Sequence, residues 1–146
     1  MDNKLLIIEQ EYNAPLDLVW RAITEKELMK KWYFDISDFK PEVGCKFQFE
    51  GGKDDKRYMH LCEVIEVIPH KKLKYSWTYE GYPGLSYVTF ELSSDGEKTS
   101  VKLIHEGLET FTNPDFAREN FVGGWTYLIH ESLKAFLEED KSLRTW

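Results

Sequence analysis

Residues 72–79 read Lys-Leu-Lys-Tyr-Ser-Trp-Thr-Tyr, an alternation without a fault. Successive side chains of a strand point to opposite faces, so Leu73, Tyr75, Trp77 and Tyr79 share one face. That face is too apolar to leave in water, and whatever this chain folds into must cover it. The same period recurs at Cys45, Phe47, Phe49, at Val88, Phe90, Leu92 and at Val101, Leu103, His105. Residues 57–69 predict a longer strand, and the adjacent Val64 and Ile65 predict a bulge in it. Residues 4–12 predict one more strand and 36–39 a short one. The connectors at 51–57, 69–72, 80–85 and 94–98 are rich in Gly, Pro, Asp and Lys. Strands joined by such short turns form an antiparallel meander with one buried and one wet face.

Helical spacing appears in two places. After Pro15, the residues Leu16, Val19, Trp20 and Ile23 fall on one helical face. Thr24 followed by Glu27 predicts a capping box and a second short helix carrying Leu28, Met29 and Trp32. The second place is the C-terminus. Asn113 or Thr112 is a candidate cap, Pro114 suits a first turn, and Asp115 and Glu119 suit the positive end of the helix dipole. Phe121, Trp125, Leu128, Ile129, Leu133, Phe136 and Leu137 then form an apolar stripe. A helix over 114–138 spans about 37 Å at 1.5 Å per residue, enough to cross a sheet. It is the one long helix available to cover the concave face. The expected fold is α+β: a curved antiparallel sheet wrapped around a long C-terminal helix, with two short helices after the first strand.

Gly123 and Gly124 interrupt the stripe. Each costs about 1 kcal/mol relative to alanine inside a helix. Either they shape the mouth of a pocket between helix and sheet, or they let the helix pack closely on a strand.

The 146 residues suit a single domain spanning 1–146. The net charge of −7 disfavours nucleic acid and anionic membrane partners. No apolar run reaches the length of a membrane span, and the N-terminus lacks a secretory pattern. Cys45 and Cys62 form neither a CxxC pair nor a disulfide framework, so reduced thiols in a cytoplasmic protein are expected. The four histidines lack metal-ligand spacing, and no phosphate loop or nucleophile elbow occurs. No metal and no cofactor is therefore expected, and enzymatic activity is not the favoured reading.

Three segments carry a family resemblance: 12–32, opening Tyr-Asn-Ala-Pro with Val-Trp following, 62–79, and 123–138 with its Gly-Gly-Trp. Together they resemble the family of the activator of the 90-kDa heat-shock protein ATPase, within the START-like (SRPBCC) superfamily. The resemblance implies the helix-grip fold and a cavity between sheet and C-terminal helix. Eukaryotic activators of this kind have an additional N-terminal domain that this sequence does not show, an expectation that ranks chaperone stimulation second.

Aromatic residues make up 15% of the chain. Trp32, Phe49, Trp77, Tyr79, Tyr87, Phe121 and Trp125, with His105 as a polar handle, are the candidates for lining the cavity. Such a lining suits a small hydrophobic or aromatic ligand. The alternatives are an interaction module for a chaperone, and a cyclase- or hydratase-type enzyme using His105 with a tyrosine. His105 itself reads either as a buried, hydrogen-bonded group or as a ligand contact. A monomer and a homodimer are equally compatible with the sequence.

Overall fold

The computed structural model describes residues 5–34, 36, 39–53 and 56–139. Strand β1 (Leu5–Tyr12) is followed by helices α1 (Leu16–Thr24) and α2 (Lys26–Trp32). Five strands follow: β2 (Lys46–Lys53), β3 (Lys56–Ile68), β4 (Lys72–Tyr79), β5 (Tyr82–Asp95) and β6 (Lys98–Glu106). All pairs are antiparallel, in the order β1-β6-β5-β4-β3-β2. Consecutive strands from β2 to β6 are neighbours, which is the expected meander. Strand β1 closes the far edge against β6, and the two short helices cross from that edge to the other.

The alternation of β4 survives intact, with Leu73, Tyr75, Trp77 and Tyr79 all buried. The bulge in β3 is present, since the register with β4 shifts between Val64 and Glu66. The β4–β5 connection is tighter than residues 80–85 suggested. Tyr79 pairs with Tyr82, leaving a two-residue turn in which Gly81 takes φ +82°, a value L side chains avoid. The strand expected at 36–39 lies partly outside the described residues, and Ile36 and Phe39 are buried outside any regular element.

Two local expectations are corrected. The Thr24 hydroxyl does not cap α2. It donates to the Trp20 carbonyl at 2.7 Å as the last residue of α1. Backbone bonding within its own helix wins over the capping box, and Glu25 takes the N-cap position without a side-chain bond. The C-terminal helix also starts later than Pro114. Asn113 caps a separate 3₁₀ turn, Pro114–Phe116, by accepting from the Asp115 N–H at 2.8 Å. Ala117 is then extended, and α3 (Arg118–Thr126) begins after it.

Helix α3 continues through a π-helical segment, Tyr127–Ser132, into α4 (Leu133–Glu139). The stripe explains the π segment. Phe121, Trp125, Ile129, Leu133 and Leu137 are buried at a constant spacing of four residues. In a regular α-helix each such step drifts by about 40°, so five residues would wind well round the axis. A wider turn takes up one extra residue and returns the stripe to the sheet. Its backbone cost is met locally. The Leu133 N–H bonds to the Leu128 carbonyl, five residues back, so the Ile129 carbonyl loses its usual partner. The Tyr12 hydroxyl, from β1, donates to that carbonyl at 2.5 Å.

Candidate functional site

Between α3 and strands β2–β4 lies a cavity of about 700 Å³. The sheet contributes Gly51, Tyr58, His60, Trp77 and Tyr79. Phe34, just after α2, and Phe116, on the 3₁₀ turn, add apolar wall. The helix contributes Phe121, Trp125 and Leu128, with Gly123, Gly124 and Tyr127 on its open side and the polar Glu119 and Asn120 nearer its start. Space of this size and aromatic character suits a small apolar ligand.

Behind the wall is a directed hydrogen-bond chain. The Trp125 indole N–H donates to His105 Nδ1 at 3.0 Å. That fixes the imidazole as the neutral tautomer with its proton on Nε2, which donates to Ser86 Oγ at 2.8 Å. The Ser86 hydroxyl donates in turn to the Trp77 carbonyl at 2.9 Å. His105 is 0% exposed, and burial lowers its pKa to about 3. Of the two readings the sequence left open, the structure supports the buried, hydrogen-bonded one. Both ring nitrogens are engaged in joining helix to sheet, and neither faces the cavity.

The histidine that does face the cavity is His60. It pairs in register with Phe49, and the two rings stack at 4.5 Å with an interplanar angle of 17°. Edge contacts with Trp77 and Tyr79 complete its surroundings. Burial pulls its pKa down to about 4, against a smaller opposing effect of backbone carbonyls at Tyr58 and Phe49. Imidazole is therefore neutral here at pH 7, and works as an aromatic wall with a polar edge.

One end of the cavity is polar. The Tyr58 hydroxyl donates to the Asp115 carboxylate, linking β3 to the 3₁₀ turn, and this bond raises the phenol pKa to about 12. Phe116, next to Asp115, lies flat on Tyr79 with centroids 3.7 Å apart. The Tyr79 hydroxyl accepts from the Trp77 indole at 2.9 Å.

The sequence-derived candidates divide. Trp77, Tyr79, Phe121 and Trp125 line the cavity. Phe49 and His105 form the layer behind it, against His60 and Trp77. Trp32 is set further back: buried, its indole donates to the Ala22 carbonyl at 2.8 Å and its ring stacks on Tyr33. Tyr87 is on the wrong face and is removed from the set. It alternates with buried Ser86 and Val88, so β5 turns it outward, where Lys74 Nζ sits 5.2 Å from its ring centroid. The reading missed Tyr58 and His60, although both share parity with buried Cys62 and Val64. Phe34 and Phe116 carried no period, because each follows a helix end or sits in a tight turn.

The glycine pair is also placed. A Cβ built on Gly123 or Gly124 would meet nothing within 4 Å. Close packing on a strand is therefore not their reason. Both are exposed at the edge of the cavity.

Cys62 is a buried free thiol, and burial pushes its pKa up. Among the described residues no group of His, Cys, Asp or Glu side chains could hold a metal ion. Nor is any described helix long and apolar enough to cross a membrane.

A curved antiparallel sheet, closed by a long C-terminal helix over an aromatic cavity, defines the helix-grip architecture of START-like (SRPBCC) proteins. Within that class, the model for Activator of Hsp90 ATPase homolog 1-like protein matches residues 13–138, and the chain belongs to that family. Protein MLL2253 from Mesorhizobium loti is similar at 29% identity and TM-score 0.75, over 93% of this chain and 98% of that one. CalU16 from Micromonospora echinospora is similar at 28% identity and TM-score 0.71, over 96% of this chain and 79% of that one. DynU16, a protein of the dynemicin biosynthetic locus, shares the fold at TM-score 0.78 and 20% identity, over 94% of this chain and 48% of that one. Comparison with curated proteins gave no significant match.

Proposed function

We propose that this chain binds a small hydrophobic or aromatic ligand in the cavity between its sheet and its C-terminal helix. The observation that carries this reading is the cavity of about 700 Å³ walled by Trp77, Tyr79, Phe121 and Trp125. These rings could have filled the space, as core aromatics do, and they leave it open. Trp77 and Trp125 are also the built-in reporters. Titration with a panel of neutral aromatic compounds should give saturable quenching of tryptophan fluorescence and a higher melting temperature. No saturation by any compound, with no thermal shift, would overturn the reading.

The family description favours a second reading, an interaction module for the 90-kDa chaperone. It predicts capture of that chaperone from solution and a change in its ATPase rate, with or without a ligand in the cavity. A cyclase- or hydratase-type activity has less support. The base it would use, His105, is bonded at both nitrogens behind the wall.

A further inference from the structure

His60 has one ring nitrogen to spare. Its Nδ1 lies 3.0 Å from the Tyr58 carbonyl, which can only accept, so Nδ1 carries the proton of the neutral ring and Nε2 a lone pair. The Phe49 carbonyl also favours charge on the ring, yet only the Tyr58 carbonyl meets a ring nitrogen at hydrogen-bond distance and angle. Among the described residues Nε2 has no hydrogen-bond partner. Side-chain nitrogens and oxygens shut off from open space all have partners among those residues, so Nε2 touches open space. His60 is 7% exposed and lines the cavity, so that space is the cavity. We propose, resting on the ligand-binding reading, that His60 Nε2 selects the ligand by accepting a hydrogen bond from a ligand hydroxyl, so that the ligand is a small hydroxylated aromatic compound.

The acceptor is held in place before any ligand arrives. The ring stacks on Phe49, and its Cε1 and Nδ1 lie 3.0 and 3.6 Å from where a Cβ on Gly51 would stand. A side chain at 51 would crowd that edge, and glycine leaves room for it. The Tyr58 bond then fixes the tautomer, so Nε2 keeps one position and one protonation state, which spares the ligand the cost of ordering it. Tyr79 stands beside it, with ring centroids 4.7 Å apart. Its hydroxyl accepts from the Trp77 indole, and no described group accepts its own proton. The wall thus offers one acceptor and one donor. A hydroxyl can both donate and accept, whereas an ether oxygen or a carboxylate can only accept. A ligand with no proton to give would strip Nε2 of water and leave a buried acceptor unsatisfied, which costs more than an ordinary hydrogen bond contributes.

The test uses two probes that differ by one proton donor, 2-naphthol and 2-methoxynaphthalene. Calorimetric titration of the intact chain at pH 7, where both are neutral, should show naphthol binding about tenfold tighter. His60→Phe keeps a ring against Phe49 and removes Nε2, and in it the ratio of the two affinities should fall toward one. Nitrogen NMR of the histidine-labelled parent protein gives a reading that does not depend on the variant folding. His60 Nε2 should resonate as an unprotonated nitrogen, and move toward the protonated value with naphthol but not with the ether. Equal or tighter binding of the ether overturns the His60 inference and leaves the cavity reading standing. So does a ratio unchanged in a folded His60→Phe, or an Nε2 that is protonated or unmoved by bound naphthol. Binding of neither probe also overturns the His60 inference, and the cavity reading falls with it only when the rest of the neutral aromatic panel fails to bind as well.

Discussion

The Trp125 indole N–H donates to His105 Nδ1 across 3.0 Å, and this bond ties α3 to β6. Trp125 is 2% exposed, so its ring contributes burial and its N–H contributes a buried polar contact. Trp125→Ala should destabilise the fold by about 3–5 kcal/mol, through lost burial and the cavity left behind. Trp125→Phe keeps most of the ring but leaves Nδ1 without its donor. It should cost about 1–3 kcal/mol. Urea denaturation of both variants checks this, and a near-neutral midpoint for the alanine variant would contradict the packing described.

Stability should rise with pH through the mildly acidic range. His105 and His60 have folded-state pKa values of about 3 and about 4, both lowered mainly by burial. In the unfolded chain a histidine titrates near 6.5. Between these values the unfolded state binds more protons, so stability increases with pH. The contribution is complete above about pH 6.5 and is lost as pH falls toward about 4 for His60 and about 3 for His105. Each histidine adds a slope of at most about 1.4 kcal/mol per pH unit. Carboxylates can tilt the curve in the same direction, so the informative quantity is a difference. His60→Gln and His105→Gln should each flatten the profile between about pH 4.5 and 6.5 relative to the parent. Unfolding curves at a series of pH values supply the comparison, and unchanged slopes in both variants would show that neither ring is held neutral.

The strands were legible because burial follows parity. Leu73, Tyr75, Trp77 and Tyr79 went where the alternation put them, and so did Val101, Leu103 and His105. Tyr87 shows the limit of reading residue type over position. Aromatic character argued for the cavity, while parity opposite to that of Val88 and Phe90 argued for the outer face, and backbone geometry decided. His60 is the converse case, a polar residue carried inward by the parity of Cys62 and Val64. The 3₁₀ turn at Pro114–Phe116 was harder to foresee. Asn113 and Pro114 announce a helix start as well as they announce an isolated turn. The choice is made by packing, which lays Phe116 flat on Tyr79 and needs the extended Ala117 to do so. The π segment lay in the fourfold spacing of the stripe, visible only when the whole stripe is held against one sheet face.

That segment has its own test. Leu133 N–H bonds to Leu128 O, and the Tyr12 hydroxyl supplies the Ile129 carbonyl with a donor. Tyr12 is fully buried, so Tyr12→Phe preserves the packing and removes one hydroxyl. The orphaned carbonyl should cost about 1–3 kcal/mol. Hydrogen exchange should quicken most in residues 127–133, where the helix depends on that bond. A substitution that is neutral in stability and leaves exchange there unchanged would mean that the Ile129 carbonyl is satisfied from elsewhere.

The glycine pair separates stability from binding. Gly123 and Gly124 lie in α3, neither has a positive φ, and a Cβ on either meets open space. Folding alone therefore gives no reason for glycine at these positions. Alanine at either should stabilise the protein by about 0.5–1 kcal/mol, by restricting the unfolded chain and favouring the helix. A destabilised Gly124→Ala would mean that the backbone there needs freedom the helix does not reveal. The cavity gives a reason where folding does not, because both glycines stand on its open side. A larger side chain at Gly124 should narrow that opening without disturbing the core. Gly124→Leu is expected to fold as well as the parent in a thermal melt, yet bind a neutral aromatic probe more weakly in a fluorescence titration. Unchanged affinity in a well-folded Gly124→Leu would show that the ligand does not pass or rest beside the pair, and the two glycines would lose their place in the site.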